Sequence, residues 1–174
     1  TASADQTARI WDRRNGQAVG PPLTHEGEVV FAQFSSQGNR VVTAALDGTA
    51  RIWDLGTGQL RATLRHTDGV LVAQFSPDGK RVVTACVDGT ARVWDALTGI
   101  PLTEPLEHKD AVTFAQFSPN GDFIVTASAD RFARVWVVGS ETVPRQLLKH
   151  RLAVKFAQFS PDGSLVVTAS LDGT

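Results

Sequence analysis

A sequence repeat is the feature that most constrains how this chain can fold. The four Trp residues lie at positions 11, 53, 94 and 136, and the four His residues lie at positions 25, 66, 108 and 150. A turn sequence recurs in step with them, as FSSQG at 34–38, FSPDG at 75–79, FSPNG at 117–121 and FSPDG at 159–163. A period of roughly 40 residues indicates an architecture of similar units that stack on one another.

Each unit has the pattern of four short β-strands. In one unit these are VVFAQF (29–34), RVVTAA (40–45), TARIWD (49–54) and the weaker QLRATLR (59–65). Pro-Asp-Gly and Asp-Gly supply the backbone angles that tight turns need, and no segment of useful length has a helical period. The first two strands are apolar on both faces, which predicts a sheet packed between neighbouring sheets. Because proline is confined to edge strands, the prolines in the fourth segments predict that the fourth strand is the outer edge.

These features predict an all-β chain of four-stranded antiparallel sheets packed face to face in a ring, a β-propeller. The pattern of a His, FSPDG, a Thr and DGTARIWD resembles the WD-repeat β-propeller family over essentially the whole chain. The expected domain is 1–174, with four blades in units of about 1–42, 43–83, 84–125 and 126–167 and an overlap at 168–174. The regular repeats are most similar to those of bacterial WD-repeat proteins.

In that family a His, a hydroxyl, an Asp and a Trp form a hydrogen-bonded tetrad within each blade. The resemblance implies three tetrads, which are His25-Thr43-Asp47-Trp53, His66-Thr84-Asp88-Trp94 and His108-Thr126-Asp130-Trp136. A buried indole N–H, hydroxyl and imidazole each require a partner, and a relay between them satisfies all three. The tetrads are therefore expected to be structural.

A Thr, a His and an Asp are also the ingredients of a nucleophilic catalytic triad. Here the set is copied once per repeat, whereas an active site needs one copy, so no catalytic residue is predicted. One His per blade places the imidazoles in separate sheets, so neither a metal nor another cofactor is expected. A hydrolase that uses one Thr-His-Asp set is kept as a further hypothesis.

The two ends of the chain share one phase of the repeat, since TASADQT (1–7) corresponds to TASLDGT (168–174). Half a blade is therefore expected at each end. At one end His150, Thr168 and Asp172 have no Trp after them, and at the other Trp11 has no His before it. We expect a two-fold homodimer that closes an eight-bladed ring, in which Trp11 of one copy completes the tetrad of the other.

The resemblance places partner binding at the loop before the first strand of each blade and at the residue before the tetrad Asp. These positions are mostly small or apolar, which favours a peptide or a protein surface as the partner. They are Glu28, Val30, Leu46, Gly69, Leu71, Val87, Ala111, Thr113, Ala129, Ala153, Lys155 and Leu171. The alternative left open is that neighbouring residues cover them or that no ligand has been retained.

The third repeat reads DRFARVWVV, in which Arg131 and Phe132 replace the Gly-Thr of the other repeats. One interpretation is a surface contact made by these two side chains. The other is drift in a tolerant hairpin tip. Loss of the glycine should cost roughly 0.5–1 kcal/mol if the turn needs a positive φ.

Composition excludes several functions. Lys and Arg total 17 against 18 for Asp and Glu, which gives a net charge of -1. The sequence has no cluster of basic residues that could neutralise a phosphate backbone, so nucleic acid is not expected as a partner. A single cysteine, Cys86, fits a reducing compartment and predicts a small buried residue in a cytoplasmic protein. No apolar run is long enough for a membrane helix and no leader is evident. The absence of Met indicates a fragment, a processed product or an engineered chain.

The sequence thus predicts a non-catalytic protein-interaction scaffold of WD repeats. A self-assembling repeat fragment or engineered propeller with no selected ligand is the alternative.

Overall fold

The structure, a computed structural model, describes residues 1–139 and 143–174. These residues contain strands and turns but no helix, and so no helix that could span a membrane. The strands in chain order are β1 (Thr7–Ala8), β2 (Leu23–Thr24), β3 (Val29–Phe34), β4 (Arg40–Ala45), β5 (Thr49–Asp54), β6 (Leu60–Arg65), β7 (Val70–Phe75), β8 (Arg81–Cys86), β9 (Thr90–Asp95), β10 (Leu106–Glu107), β11 (Val112–Phe117), β12 (Phe123–Ser128), β13 (Phe132–Val137), β14 (Gln146–Lys149), β15 (Val154–Phe159) and β16 (Val166–Ser170).

Three sheets of the described chain are complete four-stranded antiparallel blades. They are blade 1 (β3–β6), blade 2 (β7–β10) and blade 3 (β11–β14), each with its strands in sequence order. Two further sheets have two strands each, an N-terminal half-blade (β1 and β2) and a C-terminal half-blade (β15 and β16). The four blades expected per chain are therefore three complete blades and two separate halves.

The blades pack because their second strands are apolar on both faces. Apart from their first residues, β4, β8 and β12 are buried along their whole length. Each contacts the first strand of the following blade, so that one apolar layer lies between every two blades. Val42 in β4 is 0% exposed, whereas Val167 at the same repeat position in β16 is 62% exposed, since no further blade packs against it within the described residues.

Proline shortens the outer strand of a blade. The segment without proline forms β6, a strand of six residues, whereas β10 has two residues and follows Pro101 and Pro105. Proline has no N–H to donate to a neighbouring strand, so pairing is lost where it occurs. The fourth strand lies at the edge of each complete sheet, in agreement with the sequence expectation.

The turn between the second and third strands requires a left-handed residue. Gly48 and Gly89 have φ angles of 80° and 84°, and Arg131 at the same position of blade 3 has a φ of 75°. A side chain disfavours this conformation because its Cβ approaches the backbone. Arg131 therefore occupies a strained position, although the surrounding turn keeps its shape.

Replacing Arg131 with Gly should raise the free energy of unfolding by roughly 0.5–1 kcal/mol, because glycine adopts this φ without strain. Urea denaturation measures the change. The matched control is Gly89→Ala, which should lower stability, since a Cβ at Gly89 would lie 3.2 Å from the His108 carbonyl oxygen. Equal stability of Arg131→Gly and the parent would contradict the assignment of strain.

Candidate functional site: the tetrads and the rim

A chain of hydrogen bonds crosses each complete blade. In blade 1, Trp53 Nε1 donates to Thr43 Oγ1 over 2.9 Å, and Thr43 Oγ1 lies 2.7 Å from His25 Nε2. His25 Nδ1 lies 3.1 Å from Asp47 Oδ2. Neutral His25 with its proton on Nδ1 accepts from the Thr hydroxyl and donates to the carboxylate, so each polar atom has a partner.

The structure brings the same residue types together in blades 2 and 3. Trp94 and Trp136 donate to the hydroxyls of Thr84 and Thr126 over 2.8 and 2.9 Å. The hydroxyl-to-imidazole distance is 2.7 Å in both blades. The Nδ1 atoms of His66 and His108 lie 3.4 and 3.2 Å from Asp88 Oδ2 and Asp130 Oδ2.

Each member of the tetrad comes from a different element, so the chain of bonds ties the blade together. The His precedes the first strand, the Thr is central in the second, the Asp lies in the following turn, and the Trp is in the third strand. The Asp also fixes the neighbouring loop, since Asp47 Oδ2 accepts from the Glu26 backbone N–H over 3.0 Å. The loop that begins each blade is thereby fixed against the hairpin.

The structure adds a hydroxyl that the sequence analysis did not assign. Thr49 Oγ1 donates to Asp47 Oδ1 over 2.7 Å and lies 3.2 Å from His25 Nδ1, and Thr90 in blade 2 makes the same bond to Asp88. The signal was present in the sequence, because the Thr two residues after the Asp recurs as DGT.

These contacts determine the charge of the tetrad. Burial lowers the pKa of His25 and His66 against the opposing effect of the nearby carboxylates, so both imidazoles are neutral at pH 7. Burial alone raises the pKa of Asp88, but hydrogen bonds, among them those from the Thr90 and Thr67 hydroxyls, outweigh it and hold the pKa well below its usual range. The Asp is therefore the charged member of the relay.

Blade 3 replaces the extra hydroxyl with a guanidinium. Phe132 stands where the other blades have Thr, and Arg134 Nη1 donates to Asp130 Oδ2 over 2.7 Å and contacts His108 Nδ1. Burial and the charge of Arg134 together lower the pKa of His108 to about 4, against the opposing effect of Asp130. The Arg134 guanidinium also lies 5.3 Å from the centre of the Phe132 ring. The departure at 131–132 thus changes the polar network of the blade.

The C-terminal half-blade contains an incomplete tetrad. His150 Nε2 lies 2.8 Å from Thr168 Oγ1, and His150 Nδ1 lies 3.4 Å from Asp172 Oδ2. Within one chain Trp11 does not join them, because Trp11 Nε1 donates to Thr1 Oγ1 over 3.0 Å in the N-terminal half-blade. Thr1 there occupies the place of the tetrad hydroxyl.

One group of possible metal ligands occurs in blade 2. In the described residues, the ligand atoms of His66, Cys86 and Asp88 lie within 4.8 Å of one another. Burial raises the pKa of Cys86 to about 12, so the thiol is protonated in this structure. Cys86 Sγ donates to the Asp68 carbonyl over 3.1 Å, as Ser128 Oγ does to the Asp110 carbonyl in blade 3. Cys86 therefore makes the same contact in blade 2 as Ser128 makes in blade 3.

A groove with a volume of about 860 Å³ runs along the inner strands, from Phe34 to Leu165. A glutamine from each of β3, β7, β11 and β15 lines it, and Gln33 Oε1 accepts from the Phe75 backbone N–H of the next blade over 3.0 Å. Sequence reasoning did not assign these glutamines, although the recurring AQF preceded every turn. The Gln33 contact links blades 1 and 2, whereas Gln116 Oε1 is buried without a hydrogen-bond partner among the described residues.

The residues expected to form a partner-binding rim fall into two groups. Val30, Leu71, Thr113 and Lys155 are each the extra residue at a register shift between the first and second strands of a blade. A β-bulge turns a side chain out of the regular alternation, and Thr113 Oγ1 accordingly donates to the Val154 carbonyl of the next sheet over 2.8 Å.

The second group of rim residues precedes the tetrad Asp. Leu46, Val87 and Leu171 are exposed apolar side chains, and Glu28 is an exposed charge in the loop before β3. Leu71 and Thr113 are half-buried between blades. The structure thus places an exposed apolar residue at the rim of blades 1 and 2 and of the C-terminal half-blade.

Fold and site together define a repeat protein of the β-propeller class, in which antiparallel blades carry an internal polar relay. The family model for the WD40 repeat, described as WD domain, G-beta repeat, matches residues 21–54, 58–95, 99–137 and 142–174. The chain belongs to the WD40 repeat family.

The chain is also similar to a solved structure, the crystal structure of the computationally designed Ika8 protein. The two are 34% identical with a TM-score of 0.87, and the match covers 98% of this chain. This chain spans about half of the Ika8 chain, 52% of its length. No curated protein matches this sequence.

Replacing Trp94 with Phe should lower the free energy of unfolding by about 1–3 kcal/mol, because it removes a buried donor from Thr84. Asp88→Ala should cost more, since it removes the acceptor of both the imidazole and the hairpin. Chemical denaturation measures both changes, with exposed Leu97→Ala as the control that leaves stability unchanged. Parent-like stability of both tetrad variants would exclude a structural role.

Proposed function

We propose that this chain is a non-catalytic interaction scaffold and that two copies build it as one eight-bladed ring. The observation that supports this proposal most strongly is the pair of exposed apolar faces at the ends of the arc. Phe34 in blade 1 is 53% exposed, whereas Phe75 at the same position in blade 2 is 8% exposed. At the other end Leu165 is 70% exposed.

The internal junctions indicate how these faces fit each other. Arg40 of blade 1 lies over the Phe75 ring of blade 2, with 5.2 Å between its guanidinium carbon and the ring centre. Leu165 has the repeat position of Arg40, and Phe34 has that of Phe75. A second copy placed as the next blade would therefore set its Phe34 beneath Leu165 and bury both.

The half-blades also complement each other. The C-terminal half has the first two strands and the hydroxyl, imidazole and carboxylate of a tetrad, and the N-terminal half has the outer strands and Trp11. Joined across two copies they make one four-stranded blade, in which Trp11 donates to Thr168. Thr1 must leave its present place beside Trp11 for this to occur.

Two copies then give six complete and two composite blades, eight in all. The two half-blades of one chain lie in different sheets, so this structure does not close on itself. The Ika8 chain is about twice as long as this one, which is the length of two copies. This length relation supports a ring of two copies over other assemblies.

The 174-residue chain should have about twice its mass of 18.7 kDa at micromolar concentration. Trp11→Ala should weaken the dimer at least about tenfold, since it removes the indole from two composite blades, whereas Trp94→Phe in a complete blade should leave it intact. Sedimentation equilibrium measures both. Deleting residues 1–5 should keep or strengthen the dimer, because Thr1 no longer competes. A monomeric parent with a cooperative melt would overturn the assembly.

We propose that the chain is not catalytic because the candidate nucleophiles are buried. Thr43, Thr84 and Thr126 are 0% exposed, and each hydroxyl is bonded to both an indole and an imidazole. A nucleophile must reach its substrate, so this geometry gives the hydrolase hypothesis no support. The cytoplasmic location is proposed because a single free cysteine, Cys86, fits a reducing compartment.

The scaffold would present its exposed apolar rim to a peptide or a protein surface. Peptides selected from a random displayed library against the dimer should lose binding to the variant Leu46→Glu/Val87→Glu, because a charge in a desolvated contact is costly. The matched control is Leu97→Glu, an exposed leucine in the turn after β9. Equal binding to all three proteins would exclude this rim. A ring with no selected ligand, the second candidate, predicts that no peptide is enriched.

A further inference from the structure

The charges of the rim are distributed unevenly along the arc. The residue after the tetrad His is Glu26 in blade 1, Thr67 in blade 2, Lys109 in blade 3 and Arg151 in the C-terminal half-blade. Blade 1 adds Glu28, and the C-terminal half-blade adds Lys155, both exposed. The rim is therefore acidic at the N-terminal end and basic at the C-terminal end.

Two rim positions lie at the junction between consecutive blades. The first is the bulge residue of the earlier blade, because Thr113 of blade 3 bonds to the Val154 carbonyl in the next sheet. The second is the residue just before the first strand of the later blade. A Cβ atom at Gly69 of blade 2 would lie only 3.1 Å from Leu46 Cδ2 of blade 1.

At every junction inside the chain these two positions are uncharged. The pairs are Val30 with Gly69, Leu71 with Ala111, and Thr113 with Ala153. The same two positions at the ends of the arc are Lys155 and Glu28, which carry opposite charges. Charged residues therefore occupy these two positions only at the ends of the arc, where one copy would contact another.

We propose that Lys155 of one copy pairs with Glu28 of a second copy, and that this contact selects the head-to-tail join of the ring. The inference rests on the proposed dimer and names the residues that determine which ends of the two copies meet. Contact between two N-terminal rims would bring carboxylates together, and contact between two C-terminal rims would bring cations together. Both arrangements are disfavoured, and the head-to-tail arrangement is favoured at both joins.

The same join brings a second pair of opposite charges together. Arg51 Nη2 lies 3.8 Å from Asp47 Oδ2 in blade 1, and Arg134 Nη1 lies 2.7 Å from Asp130 Oδ2 in blade 3. Arg9 has this repeat position in the N-terminal half-blade, so the composite blade places it beside Asp172 of the other copy. This pair belongs to the tetrad of the composite blade, whereas Glu28 and Lys155 belong to the rim.

Charge reversal tests the pairing. Glu28→Lys alone places two cations at each join, and Lys155→Glu alone places two carboxylates there, so each variant should dimerise at least about tenfold more weakly than the parent at low salt. A mixture of the two variants restores opposite charges at both joins. We expect the heterodimer to predominate in native mass spectrometry with one variant isotope-labelled.

Two controls separate this inference from the proposed dimer. Lys109→Glu makes the same change of charge in blade 3, away from the join, and should dimerise like the parent. High salt should reduce the differences between the variants. A dimeric parent whose two reversal variants dimerise equally well and mix at random would overturn the pairing and leave the dimer. A monomeric parent would overturn both.

Discussion

Each blade depends on one buried hydroxyl. Thr43 lies in the middle of a strand with no exposed surface, yet its hydroxyl accepts from an indole and donates to an imidazole. A polar group this deep is costly unless its partners are also placed, so the strand, the loop and the hairpin that carry them must be positioned together. The relay reaches the surface at Asp47, whose Oδ2 lies beside His25 Nδ1 and also holds the loop that begins the blade.

This relay explains why the rim is well defined in a protein made of loops and short strands. The Asp carboxylate accepts from the loop backbone, and the residue before it, such as Leu46, is thereby fixed at the rim. The β-bulge one residue into each first strand turns the next rim side chain toward the neighbouring blade. The rim positions proposed to bind a partner are therefore held by the same bonds that stabilise the blade.

Most of the fold followed from the sequence because the turns and the apolar strands are local signals. The strands predicted at 29–34, 40–45 and 49–54 have the same bounds in the structure, since the Gly and Asp of the flanking turns fix where pairing stops. The outer strands were less regular, because proline removes backbone donors and leaves only two paired residues in β10.

The parts that could not be predicted involve competition between similar segments. Thr1 and Thr168 share a repeat position, and the sequence alone does not determine which of them Trp11 bonds. The role of Arg134 in blade 3 was also not predicted from the sequence. Phe132 removes the Thr hydroxyl, and Arg134 donates to Asp130 in its place. The equivalent residues Arg51 and Arg92 gave no sign of this role in the sequence. In blade 3 the substitution in the copied network is therefore compensated by a side chain two residues further along the same strand.

Because the blades are similar, the exposed faces at the two ends of the arc could contact each other in more than one way. Consecutive blades present nearly the same apolar layer, so shape alone discriminates weakly between the ways in which two exposed faces can meet. Inside the chain, covalent connection fixes the order of the blades, and the junction residues can be small and uncharged, as Gly69 and Ala111 are. Between two copies no such connection exists, so discrimination must come from the side chains. Under the proposed assembly Glu28 and Lys155 provide it, because opposite charges favour one polarity of contact while like charges penalise the others.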